Sequence, residues 1–264
     1  MKTVILCGGF GTRIRDVAED VPKPMIPVGG VPILWHIMKY YAMFHHRQFV
    51  LCLGYKGRTI KDFFLNYDAY VSDFTIKTGD NRGITFHGVH PETDWEVTMA
   101  ETGLKAYTGA RVRRVARYVE GEDDFFLTYG DGVGDIDLDK LLAFHRSHKK
   151  ILTVTGVRPP GRFGELEHSD DGRVTGFNEK PQVSAGRISA GFFVCSKRIF
   201  DYLDDREELV FEQEPMRKLV SDNQLMMYRH DGFWHPMDTY RDYSYLNGLV
   251  ENREAPWMPW SKKS

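Results

Sequence analysis

Short apolar runs alternate along this chain with segments whose apolar residues recur at helical spacing. Thr3-Val4-Ile5-Leu6-Cys7 is an unbroken β-branched and apolar stretch, which predicts a buried strand ending at Gly8-Gly9. After a turn at Gly29-Gly30-Val31-Pro32, the residues Ile33, Leu34, Ile37, Met38, Tyr41 and Ala42 repeat at the spacing of a helix with one buried stripe, and Pro32 stands where a helix start tolerates proline. Phe49 to Leu53 predicts a second strand, closed by Gly54-Tyr55-Lys56-Gly57, and Thr59 to Leu65 a second helix. This rhythm favours right-handed crossovers and a parallel sheet, so the chain opens as a Rossmann-like half.

From Tyr70 to about Ala110 the pattern changes. Phe74 to Lys77 and Gly83 to His87 are short alternating runs divided by Asn81-Arg82-Gly83, which predicts an antiparallel hairpin at an edge or in an insertion. A loop from Thr102 to Arg111 precedes an expected helix over Val112 to Val119. Further on, strands are expected at Phe125 to Tyr129, Leu152 to Val157, Gly172 to Phe177, Ala190 to Cys195 and Leu225 to His230. Helices are expected near Leu138 to His148, Glu212 to Val220 and Tyr240 to Leu249. The expected fold class is α/β: a Rossmann-like, mostly parallel mixed sheet flanked by helices, with a small antiparallel β insertion. No repeat or polar linker interrupts it, so residues 1–264 read as one domain.

The chain has 264 residues, and 35 Lys and Arg against 37 Asp and Glu leave a net charge of −2. Near neutrality argues against bulk binding to nucleic acid or anionic membrane, so basic residues are expected to act singly. No signal peptide precedes the first strand-like run and no apolar run reaches the roughly 18 residues of a membrane span, so a soluble, cytoplasmic protein is expected. Cys7, Cys52 and Cys195 sit singly in apolar segments and read as core residues in a reducing compartment. His45, His46, His145 and His148 lie on helical segments without converging acidic partners and are expected at the surface.

Gly8-Gly9-Phe10-Gly11-Thr12-Arg13 at the end of the first strand has the chemistry of a phosphate loop: glycines let backbone N–H groups close on an anion, and Arg13 adds a charge-assisted fork. Lys23, ten residues after Arg13, is a second, compact cation. Spacing excludes a Walker loop, because Thr-Arg rather than Lys follows Gly11, and excludes a dinucleotide fingerprint, because the third glycine is absent. A plain glycine turn with an exposed Arg stays open. Asp131, after the strand Phe125 to Tyr129, stands where α/β sheets bind ligands, and a turn aspartate is the alternative. Asp238 could equally cap the helix beginning at Tyr240. Arg111 could belong to a solvated helix face, and Lys180 could be an ordinary strand-end lysine. Tyr129 and Trp234 are expected to pack rather than to stack on a ligand.

The glycine loop with Lys23-Pro24, Tyr129-Gly130-Asp131, Glu179-Lys180-Pro181 and Met237-Asp238-Thr239 resembles the sugar-1-phosphate nucleotidylyltransferase family. Within it, Pro32 to Lys39, Gly54 to Gly57, Thr128 to Val133, Pro159 to Gly164 and Gly232 to Thr239 resemble the glucose-1-phosphate cytidylyltransferases, almost end to end. The resemblance implies that CTP and a sugar 1-phosphate, most simply glucose 1-phosphate, give a CDP-sugar and pyrophosphate with Mg2+ as cofactor, in a homo-oligomer feeding polysaccharide or deoxysugar synthesis. It implies Arg13 and Lys23 as catalytic cations and Leu6, Gly8, Gly9, Gly11, Thr12, Thr108, Arg111 and Gly132 as nucleotide-binding. It implies Glu179, Lys180, Ser189 and Gly191 as sugar-phosphate-binding, and Asp131 and Asp238 as metal ligands, within a nucleotide-binding half over about 1–135 and a sugar-phosphate and metal half over about 136–264 of the single domain. The bottom-up chemistry agrees, since phosphoryl-centre displacement needs positioning and charge neutralisation rather than a general base. Ser189-Ala190 departs from the Asn-Gly of the family pattern, Ala110 replaces a glycine and Glu101 an aspartate. UTP or dTTP as nucleotide, a non-glucose acceptor, or a sensor without turnover stand as alternatives.

Overall fold

Seven strands form the central sheet: β1 (Lys2–Leu6), β2 (Gln48–Leu53), β3 (Glu96–Glu101), β4 (Asp124–Tyr129), β5 (Leu152–Val157), β6 (Ile188–Ser196) and β7 (Leu225–His230), in the order β7-β5-β6-β4-β1-β2-β3. The computed structural model describes residues 1–9, 21–79, 83–88, 90–159, 165–169, 173–178 and 186–262. β4, β1, β2 and β3 run parallel, as do β5 and β7, whereas β6 is antiparallel to both β4 and β5. This is the mixed, mostly parallel sheet expected, and its strands come from both halves of the chain.

Both faces of the sheet are covered, which is why its inner strands read as continuous apolar runs. Val4, Leu6, Val50, Cys52, Phe125 and Leu127 face a core shared with the helical stretch Thr108–Val119. Ile5, Phe49, Leu51, Leu53, Phe126 and Phe192 face the opposite core, filled by Ile33, Ile37 and Tyr41 of α1 (Ile33–Met43). The three cysteines are free and buried, and burial drives their thiols up, that of Cys52 to about 12. They are inert core residues, as expected.

Three features differ from the sequence reading. β3 had no counterpart in it, because an edge strand covered on one side alternates Val97 and Met99 with Glu96 and Thr98 and leaves no apolar run. The expected helix over Val112 to Val119 begins at Thr108 and breaks at Val115, giving α2 (Thr108–Arg114) and a short turn over Ala116–Val119. His46 and His145 are buried rather than at the surface: His46 lies against Phe126, and His145 bonds Thr153 Oγ1 through Nδ1 at 2.8 Å. Burial lowers both imidazoles to about 4, against the pull of Asp124 on His145.

The expected hairpin is present as Asp73–Lys77 paired with Gly83–His87, exposed along both strands. Among the described residues no helix is long and apolar enough to cross a membrane.

Candidate active site

The parallel strands β4, β1 and β2 end at one edge, where their backbones leave the sheet as Tyr129-Gly130-Asp131, Cys7-Gly8-Gly9 and Gly54-Tyr55. Because β6 runs the other way, its first residues, Ser189 to Gly191, arrive at that same edge. A cleft of about 730 Å3 opens there, walled by Leu6, Gly8, Lys23, Thr108, Asp131 and Asp238 among others.

Lys23 begins a one-turn 3-10 helix over Lys23–Met25 that Pro22 enters at φ −69° and that buries Pro24 and Met25 as anchors. Its ammonium donates to Asp131 Oδ2 and to Asp238 Oδ1, each at 2.6 Å. Burial would pull the Lys23 pKa down, but pairing with Asp131 and with Asp238 outweighs it and the pKa is raised. The two carboxylates, far apart in sequence, meet because Gly132–Gly134 and Trp234–Pro236 form a short antiparallel ladder, extended by Met237 N–H donating to Asp131 O at 2.8 Å. Asp238 does not cap the following helix α3 (Tyr240–Glu251). Thr239 does, in a reciprocal capping box with Asp242. Each carboxylate keeps roughly a third of its surface open to the cleft, at 32% and 30% exposure.

Arg111 is buried, which overturns the solvated-face reading. Its guanidinium donates to Leu53 O at 2.9 Å, Thr102 Oγ1 at 2.8 Å and Gly8 O at 3.0 Å, bracing the ends of β1 and β2. It is wedged between Gly8 and Gly54, where an added Cβ would lie 2.1 and 2.4 Å from its Nη1. Close packing against Arg111 thus gives Gly8 a reason of its own for lacking a side chain.

Thr108 donates to Glu212 Oε2 at 2.6 Å and accepts from Phe211 N–H at 2.9 Å. The other Glu212 oxygen, Oε1, accepts from the Tyr129 hydroxyl. The Tyr129 ring lies on Gly191, whose φ of +74° and absence of a Cβ, which would fall 2.1 Å from the ring, admit it. Beyond this ring a second cavity, of about 290 Å3, is lined by Asp131, Gly132, Ser189, Trp234 and Asp238. Tyr129 borders both spaces, and Trp234 is fixed by its indole N–H donating to Ala190 O at 2.8 Å. Both aromatics pack, as expected, and both also form walls.

The structure therefore brings together Leu6, Gly8, Gly9, Lys23, Thr108, Arg111, Asp131 and Asp238 at the cleft, with Gly132 and Ser189 at the adjoining cavity and Gly191 behind Tyr129. Gly11, Thr12, Arg13, Glu179 and Lys180 lie outside the described residues. Sequence reasoning missed Glu212 and the wall role of Tyr129. Nothing in the local pattern of Phe211-Glu212-Gln213 signals a partner more than eighty positions away.

A glycine-ended first strand with two carboxylates converging on a lysine at the edge of an α/β sheet is an arrangement suited to phosphate-bearing ligands. A family model for nucleotidyl transferases matches residues 2–252, and the chain belongs to that family. It is 45% identical over 261 residues to glucose-1-phosphate cytidylyltransferase of Salmonella typhi, covering 98% of this chain and 100% of that one. It is 41% identical over 260 residues to the probable glucose-1-phosphate cytidylyltransferase of Bacillus subtilis, covering 98% and 100%. Among solved structures, HddC from Yersinia pseudotuberculosis complexed with GMP-PN superposes with a TM-score of 0.67 at 23% identity, over 94% of this chain and 99% of that one. That likeness speaks to the fold.

Proposed function

We propose that the protein joins CTP and α-D-glucose 1-phosphate to give CDP-glucose and pyrophosphate. The observation that carries the reading is the convergence of Lys23, Asp131 and Asp238 at the mouth of the glycine-ended strand, in a chain similar over its length to glucose-1-phosphate cytidylyltransferases. An oxygen of the sugar phosphate attacks the α-phosphorus; one P–O bond forms there as the bond to the pyrophosphate oxygen breaks. The nucleophile is already an anion, so no side chain need accept a proton.

The large cleft is assigned to the nucleotide and the cavity behind Tyr129 to the sugar phosphate. Asp131 and Asp238 lie between them, since both line both spaces. Lys23 neutralises phosphate charge as the anions approach, with Arg13 as its partner on the pyrophosphate. Arg111 holds the Gly8 carbonyl aside, so that the loop's N–H groups remain for phosphate. Thr108 fronts the nucleoside end. Ser189, with Glu179 and Lys180, is assigned to the sugar phosphate.

Asp131 and Asp238 fit a divalent cation, and Mg2+ is the ion proposed. Two oxygen ligands converge on one cation position, and among the described residues no larger cluster of ligating side chains would replace water and phosphate in the remaining positions. When bound, the ion lowers the negative charge of the reacting phosphates. The substrates are soluble phosphates, and a cytoplasmic location is proposed. The exposed hairpin is proposed as the contact of a homo-oligomer.

A pyrophosphate-release screen of CTP, UTP, dTTP and GTP against a panel of sugar 1-phosphates tests the reading. CTP with glucose 1-phosphate should be the fastest pair. A faster pair would reassign the substrates, and nucleotide-sugar binding without release from any pair would make the protein a sensor.

A further inference from the structure

Glu212 is an exposed carboxylate outside the cleft lining, yet both its oxygens are taken by hydroxyls of residues that line the cleft: Tyr129 on Oε1 and Thr108 on Oε2 at 2.6 Å. Its own segment is fixed to the start of α2, because Tyr107 N–H donates to Glu207 O at 2.9 Å, Gly109 N–H to Leu209 O at 2.9 Å, and Phe211 N–H to Thr108 Oγ1 at 2.9 Å. Tyr129 is set by the sheet on one side and by Gly191 beneath it, and its phenol is the free end that needs a partner. From this arrangement we infer that Glu212 is a positioning residue for the nucleotidyl transfer, a strut that fixes the Tyr129 wall against the sugar-phosphate cavity and Thr108 against the nucleotide cleft at the same time. The inference rests on the functional reading above.

The physical logic is geometric. The Tyr129 ring packs edge-on against Phe193 on one side, but on the Gly191 side no side chain stops it from sliding, so its hydroxyl fixes the freedom that remains. A carboxylate offers a separate acceptor oxygen to each hydroxyl, whereas an amide offers one acceptor oxygen and meets the other hydroxyl with a donor. Hydrogen bonds to a charged acceptor are the stronger kind. The sequence distances from Glu212 to the two hydroxyls are 104 and 83 positions, so one side chain ties two substrate walls that the chain otherwise builds separately.

The test is a kinetic double-mutant cycle on the full chain. Glu212→Ala should raise KM for glucose 1-phosphate and for CTP by about tenfold each, the scale of a lost hydrogen bond to a charged group, with little change in melting temperature. Tyr129→Phe should raise the KM for glucose 1-phosphate alone, and adding Glu212→Ala to it should raise that KM no further. Glu212→Gln should recover part of the loss, since one acceptor returns. Unchanged KM values in Glu212→Ala would overturn the strut, as would full additivity with Tyr129→Phe or a lowered melting temperature with wild-type kinetics. Wild-type turnover of CTP with glucose 1-phosphate is the control: its absence overturns the functional reading, whereas its presence with unmoved KM values overturns the strut alone.

Discussion

At the scale of single residues, the centre is an ammonium held by two carboxylates. Lys23 offsets two negative charges that the short ladder brings together, so removing it leaves Asp131 and Asp238 repelling each other at the place proposed for the anionic substrates. Lys23→Ala should therefore lower kcat/KM by about a hundredfold or more, the scale found for removing a stabilising charge or donor from a reacting centre. Its KM for glucose 1-phosphate should move less than its kcat; an effect on sugar KM alone would show that Lys23 serves the acceptor and not the transfer. Asp131→Ala should abolish turnover in Mg2+ while circular dichroism and melting stay close to wild type, because the side chain is partly exposed and packs no core. Full activity in that variant would refute the metal assignment. The residue types at this centre were legible in the sequence, where Lys23-Pro24, Gly130-Asp131 and Met237-Asp238 stand out. Their meeting on one cation was not legible, because it depends on a three-residue ladder between Gly132–Gly134 and Trp234–Pro236 that is too short to leave a periodic signal.

At the scale of elements, α1 shows how a buried histidine couples packing to pH. His36 is almost fully buried, and its Nε2–H donates to Val28 O at 2.8 Å, fixing the hairpin Pro27–Val28/Val31–Pro32 onto the helix. Its Nδ1 is buried without a hydrogen-bond partner among the described residues, so a second proton would place an unmatched charge in the core. Burial lowers its pKa to about 4 despite the backbone bond, and His46 and His145 are lowered to about 4 as well. The unfolded chain, with histidines near their ordinary value of about 6.5, binds more protons than the folded chain between that pH and about 4, so stability falls as pH drops through this window and is complete above it. His36→Gln keeps a donor for Val28 and removes the titration. Its melting temperature should fall less than that of wild type between pH 7 and pH 5, and parallel curves would refute the assignment. Several elements announced themselves: Leu138–His148, Leu152–Val157 and Leu225–His230 fall where the sequence pattern places them, the last as an edge strand without a fully buried residue. The histidines did not, because burial of a polar residue is decided by what packs opposite: Thr153 for His145 on its helix, and Phe126 for His46, which lies in the loop after α1 and not on a helical segment.

At the scale of the whole molecule, one seven-stranded sheet gathers the centre, and the hairpin Asp73–Lys77/Gly83–His87 projects from it without a cover. Phe74 pairs with Phe86 and Ile76 with Ile84, so all four side chains share one face, with the phenylalanine rings 5.7 Å apart. Thr75 and His87 occupy the other face, joined at 2.8 Å. Ile76 and Ile84 are more than half exposed, at 54% and 55%. A two-stranded hairpin is marginal in water unless its apolar face is covered. The occupant proposed is a second copy of this chain, because an apolar face is complementary to itself across a two-fold axis and a net charge of −2 offers little repulsion between copies. Wild-type protein should sediment as an oligomer, and Ile84→Glu with Phe86→Asp should shift it toward the monomer while leaving the central sheet folded, since neither residue contributes to either core. An oligomer that survives both charges would move the interface elsewhere, and a wild-type monomer would remove the second copy from this face altogether.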